Sequence, residues 1–295
     1  MKIGSYINRN TTVSIFDDGT KIRMTKDAFF NPEKPESMDM KITNMCDMGC
    51  PQCHEKSVPD GKHGNITDIP FLDTLNPYTE IAIGGGNPLA HPDLIPFLII
   101  LSAKNLIPNM TVNQYHFQTN FEKIERLVDA KLIYGLGISL NNAFEEGFIE
   151  RVQKFPNAVI HVIAGVTPLA DIKRLYDCGL KVLILGYKKF GRGEAYYAAH
   201  ELVDQNITAL RDELPEMIKH FKVVSFDNLA VEQMNVRSLL SEDEWNEFYM
   251  GNDGEFTMYV DMVNRQFAKS SVSTTRYPIS DDIAEMFQKV REERG

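Results

Sequence analysis

The chain has 295 residues, with 41 Asp plus Glu against 31 Lys plus Arg, a formal net charge of −10. That length can bury a full core, and the acidic balance argues against gripping a nucleic-acid polymer by charge. The longest apolar run, Leu94 to Leu101, contains Pro96 and is too short to span a bilayer; the N-terminus has no secretory-type apolar stretch, so no membrane partner and a cytoplasmic location are expected.

In chain order, residues 3–25 read as a β-hairpin, with Asp17-Asp18-Gly19-Thr20 as a turn. A proline-bearing connector, 32–36, follows. From residue 38 strand-like runs fall at 38–43, 79–84, 109–114, 133–141, 158–165 and 181–187, with amphipathic helical stretches at 92–104, 120–130, 144–154 and 168–177. After the longer first unit the strands recur about every 25 residues, the repeat of a βα unit in a parallel sheet. Thr119-Asn120-Phe121-Glu122 matches a capping box. Residues 195–220 read as helix, 222–226 as a strand, Glu242 to Met250 as helix, 255–272 as a second hairpin and 281–292 as a C-terminal helix. The fold class expected is α/β: a partial (β/α)6 TIM-like barrel with an N-terminal β-hairpin (1–30), a core (31–226) and a C-terminal β/α cap (227–295).

Four of the strands alternate polar and apolar residues. Met40 and Ile42 alternate with Asp39, Lys41 and Thr43; Met110 and Val112 with Thr111 and Asn113; Leu136, Ile138 and Leu140 with Gly137, Ser139 and Asn141; Val224 and Phe226 with Ser225 and Asp227. In a barrel the apolar set meets the outer helices and the other set faces the lumen. A polar lumen points to a ligand chamber, and Lys41, Ser225 and Asp227 are expected there as substrate contacts.

Three of the four cysteines crowd into Cys46-Asp-Met-Gly-Cys50-Pro-Gln-Cys53, directly after the first core strand, at the end where barrel enzymes place their chemistry. Structural zinc wants four protein ligands, and His54 is the one neighbour that could complete the set. That leaves a zinc-stabilised binding or scaffold protein as the alternative reading. A [4Fe–4S] cluster held by three cysteines keeps one iron open for an outside ligand. Cys178 stands far off in sequence and reads as packing.

At these residues the chain resembles the radical S-adenosylmethionine superfamily, whose hallmark is C-x3-C-x2-C after the first strand of a partial (β/α)6 barrel. The resemblance covers roughly residues 38–226 and implies that Cys46, Cys50 and Cys53 hold a [4Fe–4S] cluster whose fourth iron chelates S-adenosylmethionine. Reductive cleavage then gives a 5′-deoxyadenosyl radical that takes hydrogen from a substrate. It further implies a cofactor-binding set: Gln52, where relatives often carry an aromatic residue; Gly85, Gly86 and Asn87 where they often read G-G-E-P; Asn113; and Ser139 with Asn141. Lys188 and Arg192 either meet a substrate carboxylate or phosphate or are solvated charges. His54, His63, His91 and His161 are loose candidates for proton transfer or structural residues. The implied partners are a substrate, nucleotide-type or a peptide side chain, and an external one-electron reductant of flavodoxin or ferredoxin type. No further cysteine group is present for an auxiliary cluster.

Overall fold

The structure, a computed structural model, describes residues 1–293; Arg294 and Gly295, the last two residues of the expected cap, lie outside them. The N-terminal segment is a three-stranded antiparallel sheet, β1 (Lys2–Asn8), β2 (Thr11–Phe16) and β3 (Lys21–Met24). The expected single hairpin is therefore two, because Arg9-Asn10 turns the chain with Arg9 at φ 57° before the Asp17–Thr20 turn does so again.

The main sheet begins with β4 (Ser37–Thr43), β5 (Glu80–Gly85), β6 (Ile107–Asn113), β7 (Gly135–Ser139), β8 (Ala158–Ile163) and β9 (Lys181–Leu185). It continues with β10 (Val223–Phe226), β11 (Thr257–Asp261), β12 (Gln266–Ala268) and β13 (Tyr277–Pro278). The spatial order is β10-β9-β8-β7-β6-β5-β4-β11-β12-β13, parallel from β10 to β11 and antiparallel thereafter. No pairing joins β10 to β11 among the described residues, so the barrel is partial. The C-terminal cap joins the main sheet: its hairpin strand β11 pairs with β4, Met40 opposite Val260. Local alternation shows that a segment is a strand but not which edge it joins.

The helices are α1 (Leu94–Ala103), α2 (Gln114–Thr119), α3 (Phe121–Asp129), α4 (Phe148–Val152), α5 (Leu169–Arg174), α6 (Arg192–Ala199), α7 (Val203–Met217), α8 (Asn228–Gln233), α9 (Glu242–Phe248) and α10 (Ile283–Glu292). The expected capping box at Thr119 does not form. Asn113 already starts a helix by accepting from Tyr115 N at 2.9 Å, so Thr119 falls at that helix's end, where its hydroxyl donates back to Tyr115 O at 2.8 Å. The capping box that does form is Ser241 with Glu244.

The alternation assigns faces correctly. Met40, Ile42, Ile83, Met110, Val112, Leu136, Ile138, Ile160, Val162, Val182, Ile184 and Val260 are buried in one core under the helices. On the opposite face Asp39 is exposed although β4 is paired on both sides, while Lys41 and Thr43 further along the strand are buried. The N-terminal sheet covers the other end. Tyr6, Val13 and Ile15 pack on Ile107, Tyr78 and Tyr134, residues at or before the starts of β6, β5 and β7. Lys21 pairs with Glu80 at 2.6 Å, and Asn157 donates to Asp17 O at 2.7 Å, tying the sheet to the starts of β5 and β8.

Candidate functional site

The segment after β4 leaves the strand as a closed loop, 44–63. Asn44 N donates to Lys62 O at 2.8 Å, Cys46 N to Val58 O at 2.9 Å and Val58 N to Asn44 O at 3.0 Å. Thr43 Oγ1 holds the loop from below, 2.9 Å from His63 Nδ1, while accepting from Met45 N at 3.0 Å. Within it Cys53 N bonds Cys50 O at 3.2 Å, which winds the two later cysteines into one turn. All three thiols are half-buried. Burial pushes the Cys50 thiol up, and its neighbours Cys53 and Cys46 push it further. Three thiolates that repel one another in a confined loop call for a cationic centre.

The spacing bears on which centre fits. Among the described residues, the group of three metal-capable side chains with all ligand atoms within 4.8 Å of one another is Cys46, Asp47 and His116. The three sulfurs are spread wider than that. A single tetrahedral zinc would draw its thiolates to within about 3.8 Å of each other, whereas a cluster takes each thiolate on a different iron. His54 forms no group of three with the cysteines within 4.8 Å among the described residues; its Nε2 lies 3.5 Å from Glu55 Oε1. Burial first, then the charge of Lys188, lower its pKa to about 4, which does not count against metal binding; the spread of the sulfurs is what bears on the centre. The donor set therefore suits a cluster. His116, buried at the start of α2, bonds Asp47 at 2.6 Å beside the first cysteine, a contact that sequence spacing gave no sign of.

The glycine segment at the end of β5 packs directly on this loop. Gly86 N donates to Thr43 O at 2.8 Å and Asn87 N to Met45 O at 2.7 Å. A Cβ at Gly86 would sit 2.2 Å from Met45 O. Gly85, at φ 109°, has Thr43 O against it in the same way. These glycines, expected to let the backbone approach a ligand, let β5 lie against Thr43 and Met45 at the entry to the cysteine loop. Gly84 differs. It faces the concave side opposite Lys41, with nothing within 4 Å of an added Cβ. Asn87 is buried, and its Oδ1 accepts from Leu89 N at 3.2 Å, so it caps a local turn.

The next strands bring the rest of the expected cofactor set together. Asn113, Ser139 and His161 stand side by side in register across β6, β7 and β8. Asn113 Nδ2 donates to Asn141 Oδ1 at 2.8 Å. Gln114, buried and unmarked by the sequence reading, accepts from Asn141 N at 2.8 Å and Asn142 N at 3.0 Å and so fixes that loop. His161 is kept neutral by burial, its pKa lowered to about 4. His63 and His91 are structural: His91 Nε2 lies 2.9 Å from Gly64 O, and the two rings meet edge to face.

The residues expected as substrate contacts have partners within the protein. Lys41 is buried and ion-paired, 2.7 Å from Glu55 Oε2 and 3.5 Å from Asp261 Oδ2, while Tyr259 donates to Glu55 Oε1 at 2.9 Å. Its charge is met by the cysteine loop and β11. Asp227 is the N-cap of α8, its Oδ1 accepting from Ala230 N at 2.7 Å and Gly186 N at 2.9 Å. Ser225 donates to Val182 O at 3.1 Å on the neighbouring strand. Arg192 donates from Nε to Cys50 O at 3.0 Å and from Nη1 to Ser57 O at 2.9 Å. Lys188 keeps a free role, with Ser271 Oγ at 3.1 Å as its bonded partner. Gln52 is half-buried in the loop. Cys178 lies apart, partly buried against the core.

No family model matches the sequence, and no curated protein matches it. Solved structures do. SuiB of Streptococcus suis bound to precursor peptide SuiA matches with a TM-score of 0.61 at 13% identity, over 89% of this chain and 67% of that one. SuiB bound to S-adenosylmethionine matches with 0.58 at 14%, over 89% and 69%. A further SuiB structure matches with 0.61 at 11%, over 98% of this chain and 89% of that one. At these identities the likeness is one of fold: this chain and SuiB share the partial parallel barrel described above.

Proposed function

We propose that this chain is a radical S-adenosylmethionine enzyme. The observation that carries the reading is the seating of the cysteine loop: three thiols at the C-terminal end of β4, set against the glycine segment that ends β5. Cys46, Cys50 and Cys53 would hold a [4Fe–4S] cluster. Gly84, Asn113, Ser139 and Asn141 line the concave face from which S-adenosylmethionine would be received, and the likeness to SuiB bound to that molecule supports this. When bound, the cluster supplies the electron that cleaves S-adenosylmethionine to a 5′-deoxyadenosyl radical.

The chain's own residues supply positioning. Val58 and Lys62 close the loop by backbone bonds, and Thr43 by its hydroxyl against His63. The Lys41–Glu55–Tyr259 network fixes the loop's C-terminal side to β11. Asn113 and Asn141 hold each other, and Gln114 holds the loop behind them, so their polar groups are preorganised. The substrate class supported is a peptide side chain, since a structure of this fold was solved with a precursor peptide. An external one-electron donor completes the reading, in a reducing compartment that keeps the thiols free. Among the described residues no helix is long and apolar enough to cross a membrane.

The test is anaerobic loading with iron and sulfide, then incubation with reductant and S-adenosylmethionine. The wild-type protein should be brown, bind about four irons per chain and release 5′-deoxyadenosine. Cys50→Ala should lose both properties, and Cys178→Ala neither. A colourless protein that retains zinc would overturn the reading.

A further inference from the structure

Arg192 opens α6, on the far side of the sheet's concavity from β4, yet it is bonded to the cysteine loop at three points. Its backbone N donates to Cys53 O at 3.0 Å, its Nε to Cys50 O at 3.0 Å and its Nη1 to Ser57 O at 2.9 Å. These carbonyls lie in different turns of the loop, so one planar guanidinium spans it. A lysine ammonium can deliver charge but cannot reach two diverging acceptors at fixed angles.

The chain is shaped to bring this residue in. Gly191 adopts φ 64°, and a Cβ there would lie 2.1 Å from His54 O. Only glycine allows this backbone to lie on the cysteine loop. The segment is anchored from its other side by buried Tyr187, whose hydroxyl donates to Gly193 O at 2.7 Å. The guanidinium thus stands against the carbonyl of Cys50 itself, with no carboxylate paired to it among the described residues.

We propose that Arg192 is a positioning residue for the cluster site: it clamps the loop from across the barrel and sets a fixed positive charge beside the thiolates. The proposal rests on the reading of Cys46, Cys50 and Cys53 as cluster ligands. Iron–sulfur potentials depend on net charge and on the hydrogen bonds around the centre. A cation held in a partly dry site favours the more negative, reduced state. Clamp and charge are separate contributions and can be removed separately.

The experiment compares wild type, Arg192→Lys and Arg192→Gln, with melting curves to show that each is folded. In metal-free protein, hydrogen exchange of residues 46–57 should quicken about tenfold or more in both variants, because both lose the fork. In anaerobically loaded protein, the cluster midpoint followed by electron paramagnetic resonance should fall in Arg192→Gln and stay near wild type in Arg192→Lys. Unchanged exchange in Arg192→Gln would overturn the clamp. An unchanged midpoint there, or an equal fall in Arg192→Lys, would overturn the charge. If wild type takes up no iron, the cluster reading fails, while the exchange measurement still decides the clamp.

Discussion

The two ends of the curved sheet are closed by different means. The N-terminal end is plugged by side chains: Tyr6, Val13 and Ile15 bury themselves on Ile107, Tyr78 and Tyr134. The C-terminal end is stitched by backbone, with carbonyls of residues 43, 45, 50, 53 and 57 accepting from Gly86, Asn87, Arg192 and Cys53. Apolar packing gives stability without demanding one geometry to a fraction of an ångström. Hydrogen bonds to main chain fix position closely.

If that contrast holds, substitutions at the two ends must fail differently. The largest effect is expected at Gly86→Ala, where the new Cβ would sit 2.2 Å from Met45 O and the chain before Cys46 must move. Iron retention after desalting should be largely lost, while the melting curve stays cooperative. Ile15→Ala should do the reverse. A core isoleucine truncation costs about 2–5 kcal/mol, so the denaturation midpoint should fall while iron per chain stays at the wild-type value. The smallest expected effect is at Gly84→Ala, whose Cβ meets nothing within 4 Å. Stability and iron should be unchanged, but affinity for S-adenosylmethionine should fall about tenfold or more, the usual result of forcing a methyl into occupied space. Iron loss in Ile15→Ala, or full iron in Gly86→Ala, would erase the distinction between the ends.

Some of this was legible in the sequence. Strand faces follow from period two alone, which is why Met40, Ile42, Met110 and Val112 were assigned to the buried side. The cysteine loop was legible because its spacing is short-range. What depends on distant pairing was not. The Lys188–Arg192 run shows three cations, but nothing in the spacing says that Arg192 faces carbonyls 135 and 142 residues away. Lys41 looked like a free lumen charge because its partners, Glu55 and Asp261, come from a loop and from a strand whose edge could not be read. Asp227 was read as a lumen residue from alternation; a strand-end Asp is also a good N-cap, and it caps α8.

The pairing of β4 with β11 has a consequence in time. Met40 meets Val260 across about 220 residues of chain, a contact of very high sequence separation that forms slowly. At a synthesis rate of roughly 5–20 residues per second, the strand carrying the cysteine loop waits roughly 10–40 s with one edge bare. Glu55 and Lys41 wait with it, since Tyr259 and Asp261 arrive on the same late strand. During that interval the strand that leads into the cysteine loop has only β5 to pair with.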